Sequence, residues 1–241
     1  MQLTQKKSRR GDLLTAAAVA MLLAVMAALL YTGSLTRQVT NMLIPTAVYI
    51  VMAVSLNLVV GLLGELSLGH AGFMSVGLFS GCLVAIALTN TALPLMVRLP
   101  VSMLAGGLTA AVFGLLVGLP TLRLRGDYLA IVTLACGEII KNIITNLHVT
   151  GGALGLNTSA IYAGAKELLP YGAALVLLTV AVMLNLKRSK YGRAIMAIRD
   201  NRIAAESVGL SVTRYKLAVF VIAAFFAGCA GVLYGHTLAN I

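Results

Sequence analysis

The chain has 241 residues, 60% of them hydrophobic and 10% charged; a soluble domain carries roughly 25% charged residues, and a mean hydropathy of +0.98 excludes the soluble folds and points to a polytopic membrane protein. Its apolar runs are nearly continuous and about 18 to 25 residues long, so the spans are helices rather than the shorter, alternating strands of a barrel. The net charge of +11 does not point to nucleic acid: with the N-terminus inside, fourteen of the 18 Lys and Arg residues fall in cytoplasmic segments, Arg37, Arg98 and Lys166 fall outside, and Lys141 lies within a span, which is the positive-inside asymmetry of a membrane topology.

The expected fold class is all-α, with seven transmembrane helices near 13–31, 40–63, 71–89, 99–119, 128–147, 168–186 and 216–240, in one membrane domain covering 1–241. A cytoplasmic segment at 1–12 precedes the first span. That span has an apolar run of about 18 residues, longer than the usual 7–15 of a cleaved signal, so a retained helix is expected. The second and third spans are joined by Gly61-Leu-Leu-Gly-Glu-Leu-Ser-Leu-Gly-His-Ala-Gly-Phe73. Four glycines, a carboxylate and an imidazole in a half-apolar connection suit either of two structures. One is a segment that dips back to membrane depth, where protein or a water-filled cavity satisfies its backbone. The other is a tight turn between packed helices. His70, where the third span starts, reads as a hydrogen-bonded histidine at a helix start, with a proton-relay role as the alternative.

Gly77 and Gly81, and Gly228 and Gly231, have the spacing of close helix–helix contacts. Cys82, Cys136 and Cys229 fall inside spans with no metal-ligand spacing and read as small buried residues. In the fifth span Glu138 and Lys141 are three residues apart and share one helical face. An intramembrane charge is costly, so the pair marks either a translocation pathway or a structural ion pair. The outer loop 148–167 contains Thr150, Gly151 and Gly152 and has the backbone freedom that glycine supplies. His148 and His236 sit near span ends, with nothing beside them to make a ligand set.

The cytoplasmic loop 187–214 is basic and helix-forming. A short helix is expected over 193–198. Asp200 or Asn201 caps a second one that runs to about Val208 and stops at Gly209. Ile203, Ala204 and Val208 give it an apolar side, and Arg199, Arg202 and Glu206 a charged rim. Such a helix suits docking into a groove of another protein; the alternative is a helix lying on anionic lipid. Neither a phosphate-binding loop nor a metalloprotease or nucleophile-elbow motif occurs, so no cofactor is expected on this chain and ATP, if it drives transport, is hydrolysed by another subunit.

Four stretches carry a resemblance to a known family. They are Leu56-Asn-Leu-Val-Val-Gly61 followed by Gly64-Glu-Leu-Ser-Leu-Gly-His-Ala-Gly-Phe73; Leu124-Arg-Gly-Asp-Tyr-Leu-Ala-Ile-Val-Thr-Leu134 with Gly137-Glu-Ile139; Thr150-Gly-Gly152; and Gly192-Arg-Ala-Ile-Met-Ala-Ile-Arg-Asp200 through Ala204-Ala-Glu-Ser-Val-Gly209 to Tyr215-Lys-Leu217. Over roughly 45–240 the chain resembles the permease subunits of bacterial ABC importers for branched-chain amino acids, specifically the longer of the two paired permeases. The resemblance implies a type II-like importer permease fold in the bacterial inner membrane. Arg199, Asp200, Arg202, Ala204, Ala205, Glu206 and Gly209 would form the coupling helix that seats in an ABC ATPase subunit. Asn57, Glu65, Ser67, Gly69, His70, Glu138 and Lys141 would lie near the translocation path or its gate. Thr150, Gly151 and Gly152 would face a periplasmic or extracellular substrate-binding protein. A homologous second permease would complete the pathway.

Three departures stand out. The family commonly has Gln where this chain has Glu65. It often continues Thr-Gly-Gly with Pro-Asn-Gly, where this chain has Ala153-Leu154-Gly155. Its members run on for several tens of residues beyond the position of Ile241, so a C-terminal truncation is expected. The rival readings are a passive channel or ion-driven carrier for small polar solutes, and a membrane-embedded enzyme using His70 and Glu65.

Overall fold

The computed structural model of the chain describes residues 2–89, 94–121, 124 and 126–241, and within these the side chains of all but 2–14, 148 and 153. Arg123 and Arg125, and the side chains of the N-terminal cations and of His148, therefore lie outside the described residues. The helices are α1 (Gln2–Tyr31), α2 (Arg37–Asn57), α3 (His70–Thr89), α4 (Leu95–Thr121), α5 (Asp127–Asn146), α6 (Ala165–Arg188), α7 (Lys190–Asp200), α8 (Arg202–Ser207) and α9 (Val212–Gly235). α2 continues without a break into a π-helical segment, Leu58–Leu63. Among the described residues there is no strand, only one isolated antiparallel bridge between Asn157 and Asn240.

Six of the expected spans are helices long and apolar enough to cross a membrane: Arg37–Leu63, His70–Thr89, Leu95–Thr121, Asp127–Asn146, Ala165–Arg188 and Val212–Gly235. The first differs, since the apolar part of α1 that is described, Thr15–Tyr31, is shorter. The last expected span, 216–240, begins and ends earlier than its hydropathy suggests. α9 stops at Gly235, and the chain beyond it pairs with the outer loop: Leu156 N–H donates to Ile241 O at 2.7 Å and Thr158 N–H to Ala239 O at 3.1 Å. Backbone groups that can be satisfied by a neighbouring loop need not stay helical.

α9 is the axis of the bundle. Buried residues make up 67% of its apolar window, against 22% for α5 at the edge. Glycines set how closely its neighbours approach. A Cβ on Gly77 of α3 would lie 2.2 Å from Gly228 Cα of α9, and one on Gly106 of α4 would lie 2.6 Å from Gly77 O. Three backbones therefore meet nearly in contact, the arrangement that small residues permit where the surroundings are as apolar as the side chains. A second layer packs Val48 and Val51 of α2 and Leu168 and Val176 of α6 against Leu233 of α9. α5 rests on the α3 side through Val76, Ile140 and Ile144, and among the described residues its other face is uncovered.

Candidate functional site

The connection between α2 and α3 dips back along α2. Gly64 ends the π-helical segment in the left-handed region at φ 78°, which glycine adopts without strain. Residues 65–69 have no helical structure. α3 starts at His70, whose Nε2 lies 2.8 Å from Ser55 Oγ in a buried hydrogen bond. Ser55 precedes Gly64 by nine residues, so the stretch climbs back along α2 by roughly two helical turns. Of the two structures the sequence allows, this is the dipping segment. α5 supports it: Leu68 N–H donates to Thr133 Oγ1 at 3.1 Å, and a Cβ on Gly69 would lie 2.2 Å from Thr133 O. Gly72 meets Gly137 in the same way, a Cβ there lying 2.9 Å from Gly137 Cα. His70, only 6% exposed, also meets the ring of Phe73 edge-on. It is the bonded histidine of a helix start.

Glu65 forms an ion pair with Lys216 in the first turns of α9. Lys216 is 5% exposed, and a charge so placed is retained only with a partner. Glu65 Oε2 and Ser67 Oγ are buried without a hydrogen-bond partner among the described residues. Lys216 counts by position with the cytoplasmic cations; the structure turns it into the interior. Lys216 stands at the edge of its expected span, two residues after Arg214, and no sequence signal separates it from the surface cations.

Glu138 and Lys141 form an ion pair at 3.6 Å, with both side chains more than half exposed. They line one lip of a cleft of about 140 Å³ between α5 and the start of α3, whose other lining residues are Leu68, Gly69, Ala71, Gly72, Ser75, Leu134 and Gly137. Gly69, Glu138 and Lys141 thus share one feature. Asn57 does not: it lines a separate groove with Met183, Leu184 and Lys187 of α6, and its amide packs over Gly61, where a Cβ would lie 2.1 Å from Asn57 Oδ1.

In the cytoplasmic loop the first helix is longer than 193–198, because Ser189 Oγ accepts from Gly192 N–H at 3.1 Å and caps it earlier. Of the two candidate caps for the second helix, Asn201 is the one used: its Oδ1 accepts from Ala204 N–H at 3.1 Å. Gly209 ends it at φ 85°, as its position implies. Ile203 is 80% and Val208 76% exposed, with Ala204 exposed beside them. Arg202 Nε donates to Glu206 Oε1 at 2.9 Å. One expected docking residue turns inward instead: Ala205 is buried with Ile198 and Val212. Arg199 stays exposed, its Nη1 donating to Gly61 O at 3.1 Å and its Nε and Nη2 to Asp200 Oδ1.

The outer loop also differs from expectation at one residue. Thr150 is 4% exposed and donates to the Ile144 and Leu147 carbonyls at the end of α5, so it closes the helix rather than facing outward. Gly151 and Gly152 have φ 82° and 58°, and they turn the chain so that Leu154, 88% exposed, forms the tip.

Residues 38–241 match the family described as branched-chain amino acid transport system / permease component. The chain is 37% identical over 228 residues to the high-affinity branched-chain amino acid transport system permease protein LivM of Salmonella typhimurium, covering 78% of this chain and 50% of that protein. It is 38% identical over 222 residues to LivM of Escherichia coli, with the same two coverages. A more distant similarity, 31% over 152 residues (58% of this chain, 41% of the relative), is to the autoinducer 2 import system permease protein LsrC of an Enterobacter strain. The chain spans about half the length of the LivM proteins it matches. No solved structure matches it.

Proposed function

This chain belongs to the family of branched-chain amino acid transport permease components, and from that premise we propose that it is the membrane subunit of an ATP-driven importer for branched-chain or related amino acids. It acts on no bond of the solute. ATP is hydrolysed by partner ATPase subunits, a homologous permease covers the α5 face, and a substrate-binding protein outside delivers the solute to the loop that carries Gly151, Gly152 and Leu154.

The observation that carries this reading is α8. In a chain that is 60% hydrophobic, a capped helix presents Ile203 and Val208, 80% and 76% exposed, beside an Arg202–Glu206 pair. Apolar knobs beside a charged rim fit a groove on a soluble protein. On the other side of the bundle, Glu138 and Lys141 stand on an uncovered helix face. Bare in lipid they would be costly; beside a water-filled path closed by a second permease they are not. The cleft between α3 and α5 is then this subunit's share of that path.

Glu206→Lys tests the docking. The change puts a cation beside Arg202, breaks the bridge and reverses the rim charge. In vesicles containing the assembled importer, ATP-dependent uptake is expected to fall by about tenfold or more while the permease still inserts. Unchanged uptake would remove α8 from the docking surface. Uptake that persists without ATP and follows an ion gradient would instead favour an ion-driven carrier.

A further inference from the structure

α8 is held between two residues that grip the same short stretch of the transmembrane region. Arg199, three residues before the helix, donates to Gly61 O at 3.1 Å. Its aliphatic part lies against Gly64, where a Cβ would sit 2.5 Å from Arg199 Cγ. Lys216, nine residues after the helix, pairs with Glu65. Between them Ala205 of α8 is buried with Ile198 of α7 and Val212 of α9, and Leu210 N–H returns to Ala205 O at 3.1 Å. The two anchors and α8 therefore form one packed unit, and residues 61–65 are its point of attachment to the bundle.

From that attachment the chain runs as the non-helical segment 65–69. Only three residues of chain separate Glu65 from Leu68, a reach of at most about 11 Å, so little slack lies between the attachment and α5. The far end of the segment is Leu68, bonded to Thr133 Oγ1 of α5, and Gly69, which lines the cleft with Glu138 and Lys141. Two buried oxygens on the segment, Glu65 Oε2 and Ser67 Oγ, have no partner among the described residues. Such groups in a native fold call for an explanation.

We propose that Glu65, Lys216 and Arg199 form a tie that links the position of α8 to the 65–69 segment and through it to the cleft against α5. This rests on the importer reading above. The three are positioning residues: they touch no solute, and they convert a displacement of α8 into a displacement of the cleft wall. The tie is specific in charge, because a carboxylate at 65 requires a cation at 216.

The test uses the full-length permease assembled with its partner subunits in proteoliposomes and reads amino acid imported per ATP hydrolysed. Glu65→Lys and Lys216→Glu each place like charges together, and each is expected to lower that ratio by about tenfold with hydrolysis retained. The doubly reversed protein is expected to return to within about threefold of the wild type. Single variants with the wild-type ratio, or a double variant that does not recover, would overturn the tie. If the single variants fail to insert, the Glu65→Met, Lys216→Met pair replaces a buried ion pair by apolar side chains, a change that folds commonly tolerate. It is expected to insert and to show the same loss; wild-type coupling in it overturns the tie. A wild-type assembly with no ATP-dependent uptake would defeat the importer reading alone. The tie is then read by the distance between spin labels attached at Leu68→Cys and Val208→Cys in liposomes. A distribution broadened by the Met pair supports the tie, and an unchanged one overturns it.

Discussion

Gly77 shows how much of this fold depends on the absence of a side chain. Its backbone faces that of Gly228 so closely that a Cβ would lie 2.2 Å from Gly228 Cα and 2.6 Å from Gly228 O. Neither neighbour is a flexible side-chain tip, so α3 and α9 would have to part. Gly77→Ala is expected to lower stability by about 2 kcal/mol, the usual scale for overpacking, seen as an earlier unfolding midpoint in detergent micelles. Gly164→Ala is the control: nothing lies within 4 Å of a Cβ there and φ is −73°, so its midpoint should be that of the wild type. The spacing of Gly77 and Gly81 told that a helix would come close; it could not name Gly228 and Gly106 as what it meets. At Thr150 the sequence misled for a similar reason. A threonine beside two glycines reads as part of an exposed loop, yet its hydroxyl is spent on the end of α5.

Among the elements, α8 is the most dependent on its cap. It has six residues, far below the length at which a helix holds by itself, and so stands on the Asn201 cap, the buried Ala205 and the Arg202–Glu206 bridge. Asn201→Ala should cost about 1 kcal/mol locally, and faster amide hydrogen exchange at residues 204–207 would report it. Asn201→Asp keeps the acceptor and should exchange like the wild type; equal exchange in all three proteins would show that packing, not the cap, holds α8. The helices α7 and α8 were legible in sequence because caps and terminating glycines act within a few residues. The dipping segment was legible only as one of two choices. Its glycines and its half-apolar character fit both, and the choice was made by partners far along the chain: Ser55 for His70 and Thr133 for Leu68.

For the molecule as a whole, the expected orientation has α8 inside and the tip of the outer loop outside. Single cysteines at Leu154 and Val208, both among the most exposed residues, test this. With Cys82 and Cys229 buried and Cys136 replaced, a membrane-impermeant thiol reagent added to right-side-out vesicles should modify the cysteine at 154 and spare that at 208. Modification of both, or of 208 alone, would contradict the positive-inside assignment. The same scale explains the uneven burial of the spans. α9 is enclosed by α2, α3 and α4, while the outer face of α5 carries an ion pair with no neighbour over it among the described residues.

By itself the sequence determined that this is an all-helical membrane protein, where most of its spans lie, which loop is basic and capped, and which family it resembles. Hydropathy, capping and charge asymmetry are properties of neighbouring residues, and transfer energies add along a run. Only the tertiary structure decided that Glu65 pairs with Lys216, that Arg199 holds Gly61, that Gly69 shares a cleft with Glu138 and Lys141 while Asn57 does not, and that α9 stops at Gly235. Each of these joins residues distant in the chain or depends on a loop brought alongside, and packing places such partners together with no local pattern to announce them.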